Sequence, residues 1–192
     1  MKYHDFWKER GLDFIVPPGG DNPEGFDVNA VLKDIVGDSD VLEIGCGTGR
    51  IAKHFNPYSY VGVDINPAAL AVAGAALPLH AFSHWDGKSM LPKAPVAILY
   101  TVCLHVPDDE IDAMIARASE AARRVVIAEI MNPRFRQHVD GGYTLSNQRS
   151  LEDYIQRFMS AGGMKFLGAR PLPYAHYPGE FITFATFERI PK

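Results

Sequence analysis

The chain predicts an α/β fold: a doubly wound, mostly parallel sheet of seven strands with an antiparallel C-terminal strand pair. Three observations carry this. Five short apolar runs alternate with segments of helical periodicity as far as Glu129. One of them, Val96-Ala97-Ile98-Leu99-Tyr100, is almost wholly apolar, as a strand covered on both faces must be. The last two runs follow one another without an intervening helix and so predict the antiparallel pair.

Taken in order, Tyr3 to Arg10 predicts an aromatic-faced helix, followed by a loop rich in proline and glycine from Pro17 to Pro23. Residues 1–27 read as an appendage and 28–192 as one domain. Asn29 to Val36 has helical spacing and stops at Gly37. Val41 to Ile44 is a strand, and the glycine loop behind it is expected to open a helix through Arg50 to Phe55 that Pro57 cuts short. Tyr60 to Val63 is the second strand. Asn66 and Pro67 then read as N-cap and first helical residue of an alanine-rich helix to Ala76. Leu79 to Phe82 predicts the third strand and Val96 to Tyr100 the fourth. Pro107 to Glu110 places acids ahead of a helix whose face is Ile111, Met114, Ile115 and Ala118. Arg124 to Glu129 is the fifth strand, and Met131 to Gln148 a long polar loop. Ser150 with Asp153 resembles a capping box before a helix ended by Gly162 and Gly163. Met164 to Ala169 and Phe181 to Phe187 are the final strands.

Composition narrows the partners. The 192 residues are 47% hydrophobic and 22% charged with net charge −4, which lacks the footprint of a non-specific nucleic-acid binder. Cys46 and Cys103 sit in apolar strand-end segments, not at metal-ligand spacing, and read as buried free thiols of a reducing compartment. No run has signal-peptide or membrane-spanning length, so the expected location is the cytoplasm, without membrane contact.

The chemistry concentrates in Glu43-Ile44-Gly45-Cys46-Gly47-Thr48-Gly49-Arg50 and in Asp64 at the end of the second strand. Glycines at 45, 47 and 49 let backbone approach a ligand closely. A dinucleotide loop needs Gly-x-Gly-x-x-Gly, and the third glycine's position is occupied by Arg50. The Gly-x-Gly-x-Gly loop with Glu43 ahead of it resembles the class I S-adenosylmethionine-dependent methyltransferases, from about Val31 to Glu129.

That resemblance implies a Rossmann-like methyltransferase fold with S-adenosylmethionine as cofactor and S-adenosylhomocysteine as product. It implies that Gly45, Gly47 and Gly49, with Cys46 as a small loop filler, line the methionine moiety. Glu43 would orient the loop and reach the amino group through water. Asp64 would accept from the ribose hydroxyls, and Ile65 would lie beside adenine. Asp86 would meet the exocyclic amine of adenine, unless Asp86-Gly87 is simply a turn, and Trp85 is either core or adenine-stacking. Thr101 to Val106 would lie beside the transferable methyl group. Tyr3, Phe6 and Trp7 would form a lid over the sulfonium, against ordinary packing on the sheet edge as the alternative.

Methyl transfer needs a base only where the acceptor must lose a proton. His105 is the first candidate because it follows the fourth strand at the ligand edge; His138 and His176 are alternatives. Arg134, Arg136, His138 and Arg149 either meet an anionic acceptor or form a solvated charge run. No Asn/Asp-Pro-Pro-Tyr/Phe motif, Pro-Cys nucleophile or acidic metal cluster is found in the sequence. The default acceptor is therefore a small molecule, methylated at oxygen or nitrogen by a monomer or homodimer. Protein or RNA acceptors, or a non-catalytic cofactor-binding partner subunit, are the other readings.

Overall fold

The computed structural model describes residues 3–10, 25–135, 139–140, 143–144 and 146–190. In chain order the elements are α1 (Tyr3–Arg10), α2 (Val28–Val36), β1 (Val41–Ile44), β2 (Tyr60–Asp64), α3 (Pro67–Ala76), β3 (Ala81–His84), β4 (Ala94–Tyr100), α4 (Ile111–Ala121), β5 (Ala122–Glu129), β6 (Val139–Asp140), β7 (Tyr143–Thr144), α5 (Leu151–Ser160), β8 (Met164–Pro173) and β9 (Phe181–Arg189). Seven strands form one sheet in the order β3-β2-β1-β4-β5-β9-β8. The first five pair in parallel, and β9 runs against both β5 and β8. The order reverses beside β1, where β2 lies on one flank and β4 on the other, and ligands of open α/β sheets bind at such a switch point.

Alternation along the strands builds two cores. Leu42, Ile44, Ala97, Leu99, Val125 and Ile127 face the side covered by α4 and α5. Val41, Val96, Ile98, Tyr100, Val126 and Ala128 face the side covered by α2. On the first face Phe158 and Phe187 are fully buried and stacked with centroids 4.0 Å apart, worth about 1 kcal/mol beyond their area.

Caps set several boundaries. Asn66 accepts from the amides of Ala68 and Ala69 and starts α3, and Ser150 with Asp153 closes a reciprocal capping box on α5. Four expectations shift. No α-helix follows the glycine loop: residues 47–51 are turns and only Ala52–His54 forms a 3-10 turn. Gly47 and Gly49 hold positive φ, so helical geometry begins too late to extend before Pro57. The third strand lies two residues further along, at Ala81–His84, because its register is fixed by Val61 to Asp64 of β2. Ile111 begins α4, with Pro107 to Glu110 forming the turn before it. The polar loop after β5 contains the small β6–β7 hairpin.

Candidate active site

The C-terminal ends of β1, β2 and β4 open into a cavity of about 420 Å³. Glu43, on the α2 side of β1, reaches it from below. It is 3% exposed, accepts a short hydrogen bond from the Tyr60 hydroxyl, and burial raises its pKa to about 8. Asp64 lines the same cavity and is also buried. Its Oδ2 accepts from the Gly47 amide at 2.7 Å and its Oδ1 from the Asn66 amide at 2.8 Å. Burial lifts its pKa while these amides pull it down.

The glycine loop is shaped by close approach. A Cβ on Gly45 would lie 2.5 Å from Val102 Cγ2, so only glycine lets β1 and the loop after β4 meet. Gly45, Cys46 and Gly47 line the cavity. Gly49 does not: the space beside its Cα is filled by Leu77, Phe82 and Ala73, and its place in the motif is explained by packing against α3 and β3. Burial pushes the Cys46 thiol up, away from nucleophile behaviour, as a loop filler requires.

At the far end Ile65, Trp85, Val106 and Met114 give an apolar slot. Arg117 Nε donates to the Lys88 carbonyl at 2.9 Å and ties α4 to the turn after β3, closing that end. Trp85 is both core and cavity wall, with its indole N–H on the Ser89 carbonyl at 3.0 Å. Asp86 is the correction here. Its carboxylate is exposed and accepts from the Lys88 amide, the Ser89 amide and the Ser89 hydroxyl at 2.7–2.8 Å, which holds it below the usual carboxylate range. It closes its own turn, and its neighbours Trp85 and Gly87 line the cavity instead.

The loop after β4 forms the remaining wall. Thr101 holds φ 55, a conformation a β-branched residue adopts only under constraint. The constraints are visible: its amide donates to the Ala128 carbonyl at 2.8 Å and its hydroxyl accepts from Arg50 Nη2 at 3.0 Å. The amides of Val102 and Cys103 both donate to Glu129 Oε1, at 2.8 and 2.6 Å. His105 follows in this loop and lines the cavity. The Trp7 ring of α1 lies 4.6 Å from it, and Asn66 Nδ2 donates to the Trp7 carbonyl at 2.8 Å. Helix α1 is thus fastened to the ends of both β2 and β4, with Phe6 buried beneath it.

Of the other candidates, His176 is exposed among Tyr174 and Tyr177 in the β8–β9 connection, away from the cavity. His138, Arg136 and the Tyr3 side chain lie outside the described residues. Arg149 neither faces solvent nor the cavity. It is 3% exposed and donates to the Cys103 and Val106 carbonyls and to Asp108, clamping the loop that carries His105. Among the described residues no group of three or more His, Cys, Asp or Glu could hold a metal ion. None of their helices is long and apolar enough to cross a membrane.

The family model of the methyltransferase domain matches residues 41–124, from β1 to the start of β5. Residues 41–124 are a methyltransferase domain. Among solved structures, magnesium protoporphyrin IX methyltransferase from Synechocystis PCC 6803, with bound S-adenosylmethionine, is similar at TM-score 0.72 and 17% identity, over 99% of this chain and 98% of that one. A S-adenosylmethionine-dependent methyltransferase from Methanosarcina mazei matches at TM-score 0.71 and 14% identity, over 87% and 100%. Another from Mesorhizobium loti matches at TM-score 0.64 and 16% identity, over 83% and 96%. No curated protein matches by sequence. Domain and fold are those of the class I S-adenosylmethionine-dependent methyltransferases.

The methyltransferase cavity fits that cofactor on its own chemistry. A carboxylate has about four acceptor positions, so the amides on Asp64 do not exhaust it for hydroxyl donors. Sequence reasoning missed the site roles of Arg50, Glu129 and Arg149, and the part of α4 that walls the methyltransferase's apolar slot. For Glu129 a signal existed: an acid ending an otherwise apolar strand. For Arg149 none did.

Proposed function

We propose that this methyltransferase moves the methyl group of S-adenosylmethionine to the oxygen or nitrogen of a small-molecule acceptor. The carrying observation is a single continuous cavity that joins Glu43, Gly47 and Asp64 to His105 beneath α1. Its volume lies in the range of small-ligand sites, roughly 300–1,000 Å³. Covered by a helix and lined from one chain, it suits a small acceptor better than a folded macromolecule, and it needs no more than a monomer or a homodimer of independent sites. The net charge of −4 supports the same choice against nucleic acid. Free, buried Cys46 and Cys103 support a cytoplasmic location.

When bound, the cofactor supplies a methyl group on a sulfonium that leaves as a neutral thioether. The chain's part is orientation, which can supply several kcal/mol of a displacement barrier. Asp64 holds the ribose hydroxyls, Ile65 and Trp85 flank the base, and Glu43 with the glycine loop fixes the amino-acid end. Trp7 and α1 exclude water from the reacting centre. A ring nitrogen of His105 takes the acceptor's proton where one must leave.

Incubation with methyl-labelled S-adenosylmethionine and panels of phenols, carboxylic acids, amines, bulk protein and RNA tests this. Label in a small-molecule fraction, lost on His105→Ala for phenols and amines, is expected. Label confined to protein or RNA would overturn the acceptor class.

A further inference from the structure

The glycine loop leaves an electrostatic gap. In a related loop that opens an α-helix, the free amides of the helix start would supply positive charge to an anionic ligand group. Here the turn residues 47–51 lead only into the 3-10 turn Ala52–His54. The loop's amides are also committed internally: those of Gly45 and Cys46 donate to the Val63 carbonyl, that of Gly47 to Asp64, and that of Gly49 to the Cys46 carbonyl. The cavity wall at this end carries one cation among the described residues, Arg50.

Arg50 is held as a binding group would be. Its Nη2 donates to Thr101 Oγ1 at 3.0 Å, its guanidinium lies 4.7 Å from the Tyr100 ring centroid, and it lines the cavity together with Glu43. Those contacts fix the guanidinium plane, and its five donors are more than one hydroxyl can use. An acid and a cation side by side at the end of a cavity complement one ligand group above others, the ammonium and carboxylate of an α-amino acid.

We propose that Arg50 binds the α-carboxylate of the methionine moiety, opposite Glu43 on the ammonium, and so replaces the missing helix start. This rests on the cofactor reading above. Guanidinium and carboxylate meet through charge-assisted hydrogen bonds, and Thr101 and Tyr100 preorganise the pair. The arginine at the position of the absent third glycine thereby acts as a specificity residue: it favours a nucleoside bearing an amino-acid tail over one without.

The test compares two ligands that differ in that tail. S-adenosylhomocysteine carries the amino acid, whereas 5′-methylthioadenosine keeps the nucleoside and sulfur but lacks it. Both are titrated calorimetrically into the unaltered protein and into Arg50→Gln. The expected result is at least a tenfold loss of affinity for S-adenosylhomocysteine in the variant, with 5′-methylthioadenosine unchanged within twofold. Unchanged affinity for both, or an equal loss for both, overturns the inference, the latter because Arg50 would then only brace the loop. If the unaltered protein binds neither ligand, the cofactor reading itself falls and takes the inference with it.

Discussion

At the scale of single residues, Asp64 carries the strongest prediction. It is fixed by the Gly47 and Asn66 amides whether or not a ligand is present, so its removal affects binding more than folding. Asp64→Ala is expected to weaken S-adenosylhomocysteine by tenfold or more in calorimetry, with an unchanged circular dichroism spectrum. Glu43 adds a pH dependence. Its pKa of about 8 means that the empty site holds the protonated acid at neutral pH, with Tyr60, Arg50, Asp64 and Cys46 as its charged and titratable neighbours. A ligand ammonium favours the ionised form, so binding releases a proton below that value. Affinity therefore rises as pH climbs toward about 8 and levels above it, and Glu43→Gln removes the slope; a pH-independent affinity in the unaltered protein would contradict this role. Residue by residue, the sequence disclosed what spacing encodes: Glu43, the glycines, Asp64. It misled at Asp86, because an aspartate before glycine has its own turn to satisfy, and at Arg149, because nothing local says that a loop arginine will be buried under β4.

At the scale of elements, caps and apolar stripes were legible and loop conformation was not. Asn66-Pro67 and Ser150 to Asp153 start helices for local reasons that the sequence states in full. Ser150→Ala breaks both arms of the box and is expected to lower stability by about 1 kcal/mol, read from chemical denaturation. The segment after the glycine loop failed as a helix because its conformation is set by glycines at positive φ and by contacts to Val102 and α3, both non-local. Helix α1 was legible as an aromatic helix, but its anchor is a side-chain amide 59 residues away. With Trp7 between Asn66 and His105, α1 has to move for ligand exchange. Trp7→Ala should therefore speed S-adenosylhomocysteine dissociation severalfold in stopped-flow measurements, with little change in association; equal dissociation rates would show that α1 merely packs on the edge.

At the scale of the whole molecule, two buried carboxylates shape stability. Burial raises Glu43 and Glu129 each to about 8. Both folded values exceed the unfolded ones, so their contribution is fully present below about pH 4.5 and is lost as pH rises through about 8. Between those limits the folded state holds more protons, and each group costs at most ~1.4 kcal/mol per pH unit. The melting temperature of the ligand-free protein should fall from pH 5.5 to 8.5, and Glu129→Gln, which keeps an acceptor for the Val102 and Cys103 amides, should flatten the slope. A flat profile in the unaltered protein would contradict the burial of these acids as ionisable groups. The sheet order itself was legible as an alternation of strands and helices; that β9 inserts between β5 and β8 was not, since pairing partners of a strand are chosen by the whole sheet.

All three scales converge on one cofactor held at the switch point beside β1. Calorimetric titration of the unaltered protein with S-adenosylmethionine and, separately, with NADH tests this most directly. Saturable one-to-one binding of S-adenosylmethionine without detectable binding of NADH is the predicted result. Binding of NADH with no heat from S-adenosylmethionine would contradict it.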